Sequence, residues 1–158
     1  IKQHGISSDR YLHNMSGHNY RMEELQAAAL RVKMNYIADW TESRRKHADT
    51  YRELLAGVGD IVTPDEMPDV KHVYHLFVVR TEKRDELLKH LNDNGIGAGL
   101  HYPTPLHLQP AFASLGYKEG AFPVAEQNAK RILSLPMFPE LTNDEIAHVC
   151  ELVRGFFA

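Results

Sequence analysis

Two histidines and one tyrosine lie at the start of a proline-rich stretch in the second half of the chain. His101 and Tyr102 are adjacent, and His107 follows after two prolines. Imidazole and phenol groups donate and accept hydrogen bonds, and long ordered loops beside strand ends often carry ligand-binding residues. The pattern is therefore compatible with a small-molecule site here. The competing interpretation is that these rings only pack and hold the loop.

A second polar cluster lies near the N-terminus, in the segment from Gly17 to Met22. Asn19 can cap the helix predicted to begin here, and Arg21 follows two residues later. Backbone N–H groups at a helix N-terminus can bind an anion, and arginine is a bidentate donor to phosphate groups. The segment is thus a candidate anion site. In isolation, a plain helix cap followed by a surface arginine is the simpler interpretation.

Several other kinds of site are disfavoured by the residues present. His72 and His75 are the closest histidine pair, but a spacing of three in a strand places their rings on opposite faces, which does not suit a metal ion. The single cysteine, Cys150, excludes an intrachain disulfide and a cysteine-rich zinc site. The sequence contains no phosphate-binding glycine loop and no recognisable hydrolase triad. We therefore predict no metal site.

Composition and charge exclude further classes of protein. The 158 residues are 43% hydrophobic and 25% charged, as in an ordinary globular domain that buries its own core. The net charge is −3 and no basic stripe could neutralise a run of phosphates, so we expect no nucleic-acid partner. No apolar run approaches the ~20 residues that cross a bilayer, so we expect no membrane insertion. The low cysteine usage favours a cytoplasmic protein.

The elements that must position the candidate residues follow from the apolar periodicity. Residues 1–20 have the turn-forming composition of a loop. From Tyr20 to Ala56 apolar residues recur every three or four positions without proline or glycine, which predicts one long helix of about 55 Å. A chain of this size cannot cover all of such a helix. Part of its apolar stripe should therefore face something outside the chain.

The remaining residues, 61–158, predict a sheet packed against helices. The predicted elements are a strand at 73–80, a helix at 82–92, a strand at 96–102 that completes a β-α-β unit, a loop at 103–120, a helix at 123–132, a strand at 133–135 and a final helix. Thr142 and Glu145 have the spacing of a capping box at the start of that final helix. The predicted fold class is α+β.

A series of sequence blocks also runs along the chain in a fixed order. The blocks are Gly17-His18-Asn19-Tyr20-Arg21-Met22, Glu24-Leu25-Gln26-Ala27-Ala28, Arg45 with Tyr51, His75-Leu76-Phe77-Val78-Val79-Arg80, Arg84-Asp85, Gly95-Ile96, His101-Tyr102-Pro103-Thr104-Pro105-Leu106-His107, Phe122-Pro123-Val124-Ala125-Glu126 and Leu133-Ser134-Leu135-Pro136-Met137-Phe138-Pro139-Glu140-Leu141-Thr142. Over essentially the whole chain, these blocks resemble the DegT/DnrJ/EryC1/StrS family of sugar aminotransferases.

The resemblance implies the small α+β domain of the aspartate-aminotransferase fold (PLP fold type I), preceded by a long interdomain helix. It implies pyridoxal 5'-phosphate as cofactor and transfer of an amino group from glutamate to a nucleotide-linked keto sugar, for glycan, lipopolysaccharide or antibiotic-sugar biosynthesis. It also implies a homodimer whose sites are shared across subunits. Residues 1–60 are then the end of the large domain plus the interdomain and dimer helix, and residues 61–158 are the C-terminal small domain.

The same resemblance implies that part of the active site is elsewhere. The family attaches its cofactor to a lysine of the large domain, and none of the eight lysines of this chain stands in that setting. We therefore expect the large PLP-binding domain to be absent from this chain, with no catalytic residue within it. The chain also begins at Ile1 without an initiator methionine or signal pattern, which favours a segment of a larger protein.

Individual site residues follow from the family's motifs. Asn19 corresponds to the asparagine that reaches the cofactor phosphate of the neighbouring subunit, and Arg21 to the arginine that contacts the nucleotide sugar. His101 and Tyr102 correspond to a pair that meets the same substrate, and His107 to a further loop histidine that we assign to substrate binding. The alternative hypothesis is a free-standing, non-catalytic α+β module for ligand binding or assembly.

Overall fold

The computed structural model of the protein describes residues 22–158. The chain divides into two compact units, residues 1–38 and residues 39–158. The sheet and the loop that carries His101 belong to the second unit. Asn19 and Arg21 lie outside the described residues, as does the loop predicted over residues 1–20.

The predicted long helix is interrupted near the end of the first unit. Helix α1 covers Glu24–Met34 and helix α2 covers Ile37–Leu55, with a turn at Asn35 and Tyr36 between them. The prediction of a single helix from Tyr20 to Ala56 is therefore wrong in its middle part.

The interruption arises where the backbone hydrogen bonds switch to a shorter spacing. The N–H groups of Asn35 and Tyr36 donate to the carbonyl groups of Val32 and Lys33, three residues back, at 3.2 and 3.0 Å. This is the tighter 3-10 pattern that frequently ends an α-helix. Asparagine and tyrosine are also weaker helix formers than the leucines and alanines before them, so a stretch without proline or glycine can still be interrupted.

Helix α1 keeps its apolar side chains on the surface of this chain. It has no buried residue, and Leu25 is 88% exposed. The expectation that part of the apolar stripe faces something outside the chain stays a prediction.

The second unit packs helices against a small sheet. Helix α2 contributes Ala48, Tyr51 and Leu55 to the core. The further elements are strand β1 (Phe77–Arg80), helix α3 (Arg84–Asp93), two short 3-10 helices (Leu106–Leu108 and Pro110–Leu115), helix α4 (Pro123–Arg131), strand β2 (Ile132–Leu135) and helix α5 (Asn143–Phe157). The α+β class predicted from the sequence is confirmed.

Among the described residues the sheet consists of β1 and β2, which run antiparallel. Val78 pairs with Ser134, and Ser134 also forms a bridge to Gly99. The predicted strand at 96–102 is therefore wrong, because only one of its residues pairs, and the predicted β-α-β unit lacks its second strand. Gly97 and Gly99 have no side chains to pack, which weakens a strand.

The predicted strand at 73–80 is shorter than expected. Tyr74 has a φ of 46°, a left-handed conformation that does not fit an extended strand. Pairing with β2 begins only at Phe77.

The core of the second unit forms around two stacked rings. Tyr51 from α2 and Phe77 from β1 are fully buried, with ring centroids 4.9 Å apart. The Tyr51 hydroxyl donates to the carbonyl of Pro136 at 3.0 Å, and burial raises the pKa of Tyr51. The surrounding core residues are mostly aliphatic: Leu55, Val79, Leu87, Leu91, Leu133, Ile146, Val149 and Val153.

The helix ends follow the predicted local signals. Helices α3 and α4 lie within two residues of their predicted limits. Helix α5 begins with the predicted capping box: the Thr142 hydroxyl accepts from the N–H of Glu145 at 3.3 Å, and the Glu145 carboxylate accepts from the N–H of Thr142 at 2.8 Å. Within residues 22–158, no helix combines the length and apolar character needed to cross a membrane.

Candidate functional site

The polar rings identified in the sequence lie on one loop, residues 101–122, between the Gly99 bridge and helix α4. The loop includes the two 3-10 helices, in which no residue is buried as a whole although the His107 side chain is. Large apolar side chains such as Leu106 and Leu115 are exposed. The loop therefore contributes little to the core, and polar contacts matter for its position.

His101 is tied to the sheet. Its Nδ1 lies 2.9 Å from the hydroxyl oxygen of Ser134 on β2. The Tyr102 ring packs edge-on against the His101 ring, with centroids 5.4 Å apart, and Tyr102 is 72% exposed. The structure thus places this predicted pair together at the start of the loop, with the imidazole anchored and the phenol exposed. The serine between two leucines of β2 was not identified from the sequence.

His107 is built into the interior of the loop. Its side chain is 8% exposed, and its Nε2 lies 2.8 Å from a carboxylate oxygen of Glu126 on α4. The ring also packs edge-on against Phe122, with centroids 4.8 Å apart. His107 is thus fixed by both a polar and an aromatic neighbour.

Glu126 is a residue of this region that the sequence analysis missed. Besides the contact with His107, its carboxylate accepts from the backbone N–H groups of Gly120 at 2.8 Å and Phe122 at 3.1 Å. These backbone bonds, followed by the bond from His107, hold the pKa of Glu126 below its usual value, so it is ionised at neutral pH. The sequence pattern that could have indicated its role is the position of this glutamate three residues before Ala129, on the buried face of α4.

Two hollows open beside Tyr102. One of about 410 Å³ has mainly apolar walls from the loop and α4, and includes His107, Phe122 and Asn128. The other, of about 490 Å³, is lined by residues between Tyr102 and Gln109. Both volumes lie in the range of small-molecule pockets. The loop therefore offers space for a ligand next to the predicted substrate contacts.

A second carboxylate cluster joins α2 to the segment before β1. Arg45 donates twice to Glu66, at 2.7 and 3.3 Å, and the N–H of His72 donates to Glu66 at 2.7 Å. The bond from Arg45, followed by that from the N–H of His72, lowers the pKa of Glu66 to about 2. The Nδ1 of His72 accepts from the N–H of Tyr74 at 2.8 Å. Residues 22–158 contain no group of three side chains placed to hold a metal ion.

The described lysines do not fit covalent attachment of pyridoxal phosphate. A lysine that forms a Schiff base is activated by desolvation or by a neighbouring cation in an enclosed site. The lysines of residues 22–158 are all exposed: Lys33, Lys46, Lys71, Lys83, Lys89, Lys118 and Lys130. None of the described lysines has the enclosed surroundings of a Schiff-base lysine.

The chain matches a protein-family model and is similar to known proteins. The sequence profile of the DegT/DnrJ/EryC1/StrS aminotransferase family matches residues 1–154. A Geobacillus stearothermophilus protein named "Pleiotropic regulatory protein" is 51% identical, over 99% of this chain and 42% of that protein. The dTDP-3-amino-3,4,6-trideoxy-alpha-D-glucose transaminase of Streptomyces venezuelae is 43% identical, over 94% of this chain and 39% of that enzyme. The chain thus spans about two fifths of the length of these curated relatives.

Solved structures show the same relation. The crystal structure of S. venezuelae DesV in complex with a ketimine intermediate matches with a TM-score of 0.90 and 41% identity, over 98% of this chain and 42% of that chain. Spr1654 of Streptococcus pneumoniae, solved in a PLP form and a PMP form, matches with TM-scores of 0.83 and 0.84 at 22% identity, over 98% of this chain and 41% and 42% of those chains. The family and the fold predicted from the sequence are confirmed: the chain belongs to the DegT/DnrJ/EryC1/StrS aminotransferase family.

Proposed function

We propose that the chain is the C-terminal part of a pyridoxal-phosphate-dependent aminotransferase that transfers an amino group from glutamate to a nucleotide-linked keto sugar. Residues 1–60 are then the end of the large domain with the interdomain helices, and residues 61–158 are the small domain of a homodimeric enzyme. The observation that carries the proposal is the TM-score of 0.90 with DesV, a protein solved with a ketimine intermediate. The relative named as a dTDP-sugar transaminase supports the substrate class.

The residues of this chain bind and orient the substrate in this proposal. The Nδ1 of His101 is engaged by Ser134, so its Nε2 is the ring nitrogen that meets the sugar nucleotide. Tyr102 presents an exposed phenol beside the two hollows, and His107 forms part of the wall of one of them. Arg21 adds a bidentate donor to the diphosphate. Holding the reactants in one orientation can supply several kcal/mol toward the barrier, about 7–11 in the best intramolecular cases.

A chimeric enzyme tests the proposal. Residues 1–158 replace the matching 39% of the S. venezuelae transaminase, which keeps that enzyme's own N-terminal part. We expect the chimera to bind pyridoxal phosphate and to convert it to the amine form when nucleotide-linked amino sugars are added, followed by absorbance. The 158-residue chain alone is the control for the non-catalytic alternative. A chimera that binds the cofactor but reacts with none of a panel of dTDP- and UDP-linked amino sugars would contradict the proposal.

Arg21→Ala in the chimera tests the diphosphate contact. Loss of a charge-assisted bond costs about 1.5–3 kcal/mol, so we expect KM for the sugar nucleotide to rise about ten- to a hundredfold. Arg31→Ala, a change of the same kind within α1, should leave KM unchanged. Asn19→Ala should instead weaken retention of the cofactor, measured by dialysis against buffer without it. Equal effects of Arg21→Ala and Arg31→Ala would remove Arg21 from the site.

Mixed dimers test whether these contacts cross the subunit interface. Random exchange between an Arg21→Ala chimera and a chimera without the Schiff-base lysine gives mixed dimers in about half of the population, each with one intact site. About a quarter of the wild-type number of sites should then be restored. If dimers that have exchanged subunits show no sites with the wild-type KM, the contacts are made within one subunit.

A further inference from the structure

One carboxylate joins distant points of the 101–122 loop. Glu126 accepts from Nε2 of His107 at 2.8 Å, from the N–H of Gly120 at 2.8 Å and from the N–H of Phe122 at 3.1 Å. Apart from the side chain of His107, the two 3-10 helices of the loop contribute little to the buried core. Hydrogen bonds to this one side chain therefore help to hold the loop in position, whereas the packing of buried side chains holds the rest of the unit.

Burial makes this arrangement specific to a carboxylate. The side chains of His107 and Glu126 are 8% and 9% exposed, so water cannot freely replace a lost partner. One oxygen of Glu126 accepts from His107 and Phe122, and the other accepts from Gly120. A glutamine of the same size would turn its NH₂ group toward at least one of these N–H donors. The position thus requires a side chain whose two terminal atoms both accept hydrogen bonds.

The same contact fixes the proton on His107. A carboxylate only accepts hydrogen bonds, so Nε2 of His107 carries a hydrogen, and in the neutral ring the lone pair lies on Nδ1. The edge-on contact with Phe122 restricts rotation of the ring. Both rings belong to the wall of the 410 Å³ hollow beside Tyr102. A substitution of Glu126 should therefore change the shape of the hollow, because His107 and Phe122 form part of its wall.

We propose that Glu126 is the positioning residue of the substrate-binding loop: it holds His107 in one orientation and one tautomer, and so shapes the hollow in which the sugar nucleotide binds beside Tyr102. Glu126 itself does not touch the substrate. The identity of the ligand rests on the proposed function, whereas the state of His107 can be measured without any ligand.

The first experiment measures that state by ¹⁵N NMR of histidine-labelled 158-residue chain. At a pH at which the spectrum shows a neutral ring, the wild-type chain should show His107 as the Nε2–H tautomer, and Glu126→Gln should show a mixture of tautomers. Glu119→Gln is the matched control, because Glu119 is an exposed loop carboxylate 3.7 Å from the amine of Lys130, and it should leave the spectrum of His107 unchanged. The same tautomer ratio in the wild-type chain and in Glu126→Gln would overturn the proposal.

The second experiment measures KM and kcat in the chimera. Glu126→Gln should raise KM for the sugar nucleotide about tenfold, with cofactor content unchanged and kcat within about twofold, because the binding wall is displaced and the reacting centre is not. Glu119→Gln should change neither value. A Glu126→Gln chimera with full cofactor content and wild-type KM would overturn the proposal.

A second variant covers the case in which Glu126→Gln does not fold. His107→Phe keeps a ring of similar size, removes the donor and leaves Glu126 with its two backbone partners, and it should raise KM to a similar extent. Where both single variants fold, the double variant should be no worse than either one, because they break the same contact. Strict additivity, or an unchanged KM in His107→Phe, would overturn the proposal. A wild-type chimera that is inactive with every sugar would remove the proposed function and leave the NMR experiment as the test of Glu126.

Discussion

The body of the second unit and the 101–122 loop keep their shapes by different means. We use "body" for residues 39–100 and 123–158. In the body, the rings of Tyr51 and Phe77 are fully buried, whereas Leu106 in the loop is 74% exposed. Packing in the body is spread over many small contacts, while the loop depends on a few directional bonds to one carboxylate. A single residue can therefore alter the loop without unfolding the body.

The two carboxylate clusters show the same difference in their partners. Glu66 in the body is paired with Arg45, whose guanidinium stays charged at every accessible pH. Glu126 beside the loop is paired with the imidazole of His107 and with two backbone N–H groups. The body thus uses a permanent charge for a structural contact. The loop uses hydrogen bonds from an imidazole and from the backbone next to the candidate site.

The same substitution in the two regions gives the largest contrast. Phe77→Ala removes a fully buried ring and should lower the free energy of unfolding by about 3–5 kcal/mol. Phe112→Ala removes a ring that is 42% exposed in the loop and should cost less than about 1 kcal/mol. Urea denaturation followed by circular dichroism measures both. Equal losses would show that the loop packs as part of the core.

The next contrast concerns the stability of the chain at acidic pH. The pKa of Glu66 falls from 4.5 to about 2 in the folded protein, so its contribution to stability is complete above pH 4.5 and is lost as the pH falls toward 2. Glu66→Gln should be less stable than the wild-type chain at neutral pH, with a shallower loss of stability across this window. Asp65→Asn is the control, because Asp65 is exposed and lies next to Glu66. Parallel acid-unfolding curves for Glu66→Gln and the wild-type chain would contradict the assignment.

A smaller effect separates the two tyrosines. Tyr51→Phe removes the hydrogen bond to the carbonyl of Pro136 and should cost about 1 kcal/mol of stability. Tyr102→Phe changes an exposed phenol and should leave stability within about 0.5 kcal/mol of the wild-type value. In the chimera the order should reverse, with Tyr102→Phe raising KM and Tyr51→Phe leaving it unchanged. A KM effect confined to Tyr51→Phe would remove Tyr102 from the substrate contacts.

The smallest expected signal is the covalent labelling of lysines by pyridoxal phosphate. Neither the body nor the loop places a lysine in an enclosed site, so the chain mixed with pyridoxal phosphate and then reduced with borohydride should carry no stoichiometric pyridoxyl-lysine. Mass spectrometry of the digested chain measures this, with the chimera as positive control. A single fully labelled lysine in the 158-residue chain would show that it can hold the cofactor by itself.

Elements with local signals were the ones that the sequence predicted well. Thr142 and Glu145 form the capping box of α5, and Pro123 lies in the first turn of α4. Both features could be predicted because these signals act over a few residues. The interruption at Asn35 was missed, since the apolar spacing continues across it while the backbone hydrogen bonds change. The strand predicted at 96–102 is wrong because Gly97 and Gly99 weaken a strand, and only Gly99 has a partner alongside it.

In the candidate site, too, contacts between residues close in sequence could be predicted and contacts between distant residues could not. His101 and Tyr102 are neighbours in sequence, so their proximity could be predicted, and their roles as substrate contacts stay predictions. Glu126 and His107 are 19 residues apart and meet only because α4 returns beneath the loop. No local pattern reports such a contact. A glutamate on an otherwise buried helix face was the single available sign, and its partner could not be read from it.

Ser134 links the candidate site to the register of the sheet. Its backbone pairs with Val78 on one side and Gly99 on the other, and its hydroxyl holds His101. Side chains alternate between the two faces of a strand, and a leucine lies on each side of Ser134, so a slip of β2 by one residue would present a hydrocarbon to His101 in place of the hydroxyl. An insertion or deletion within β2 would therefore alter the surroundings of His101 at the candidate site, although it falls inside the core.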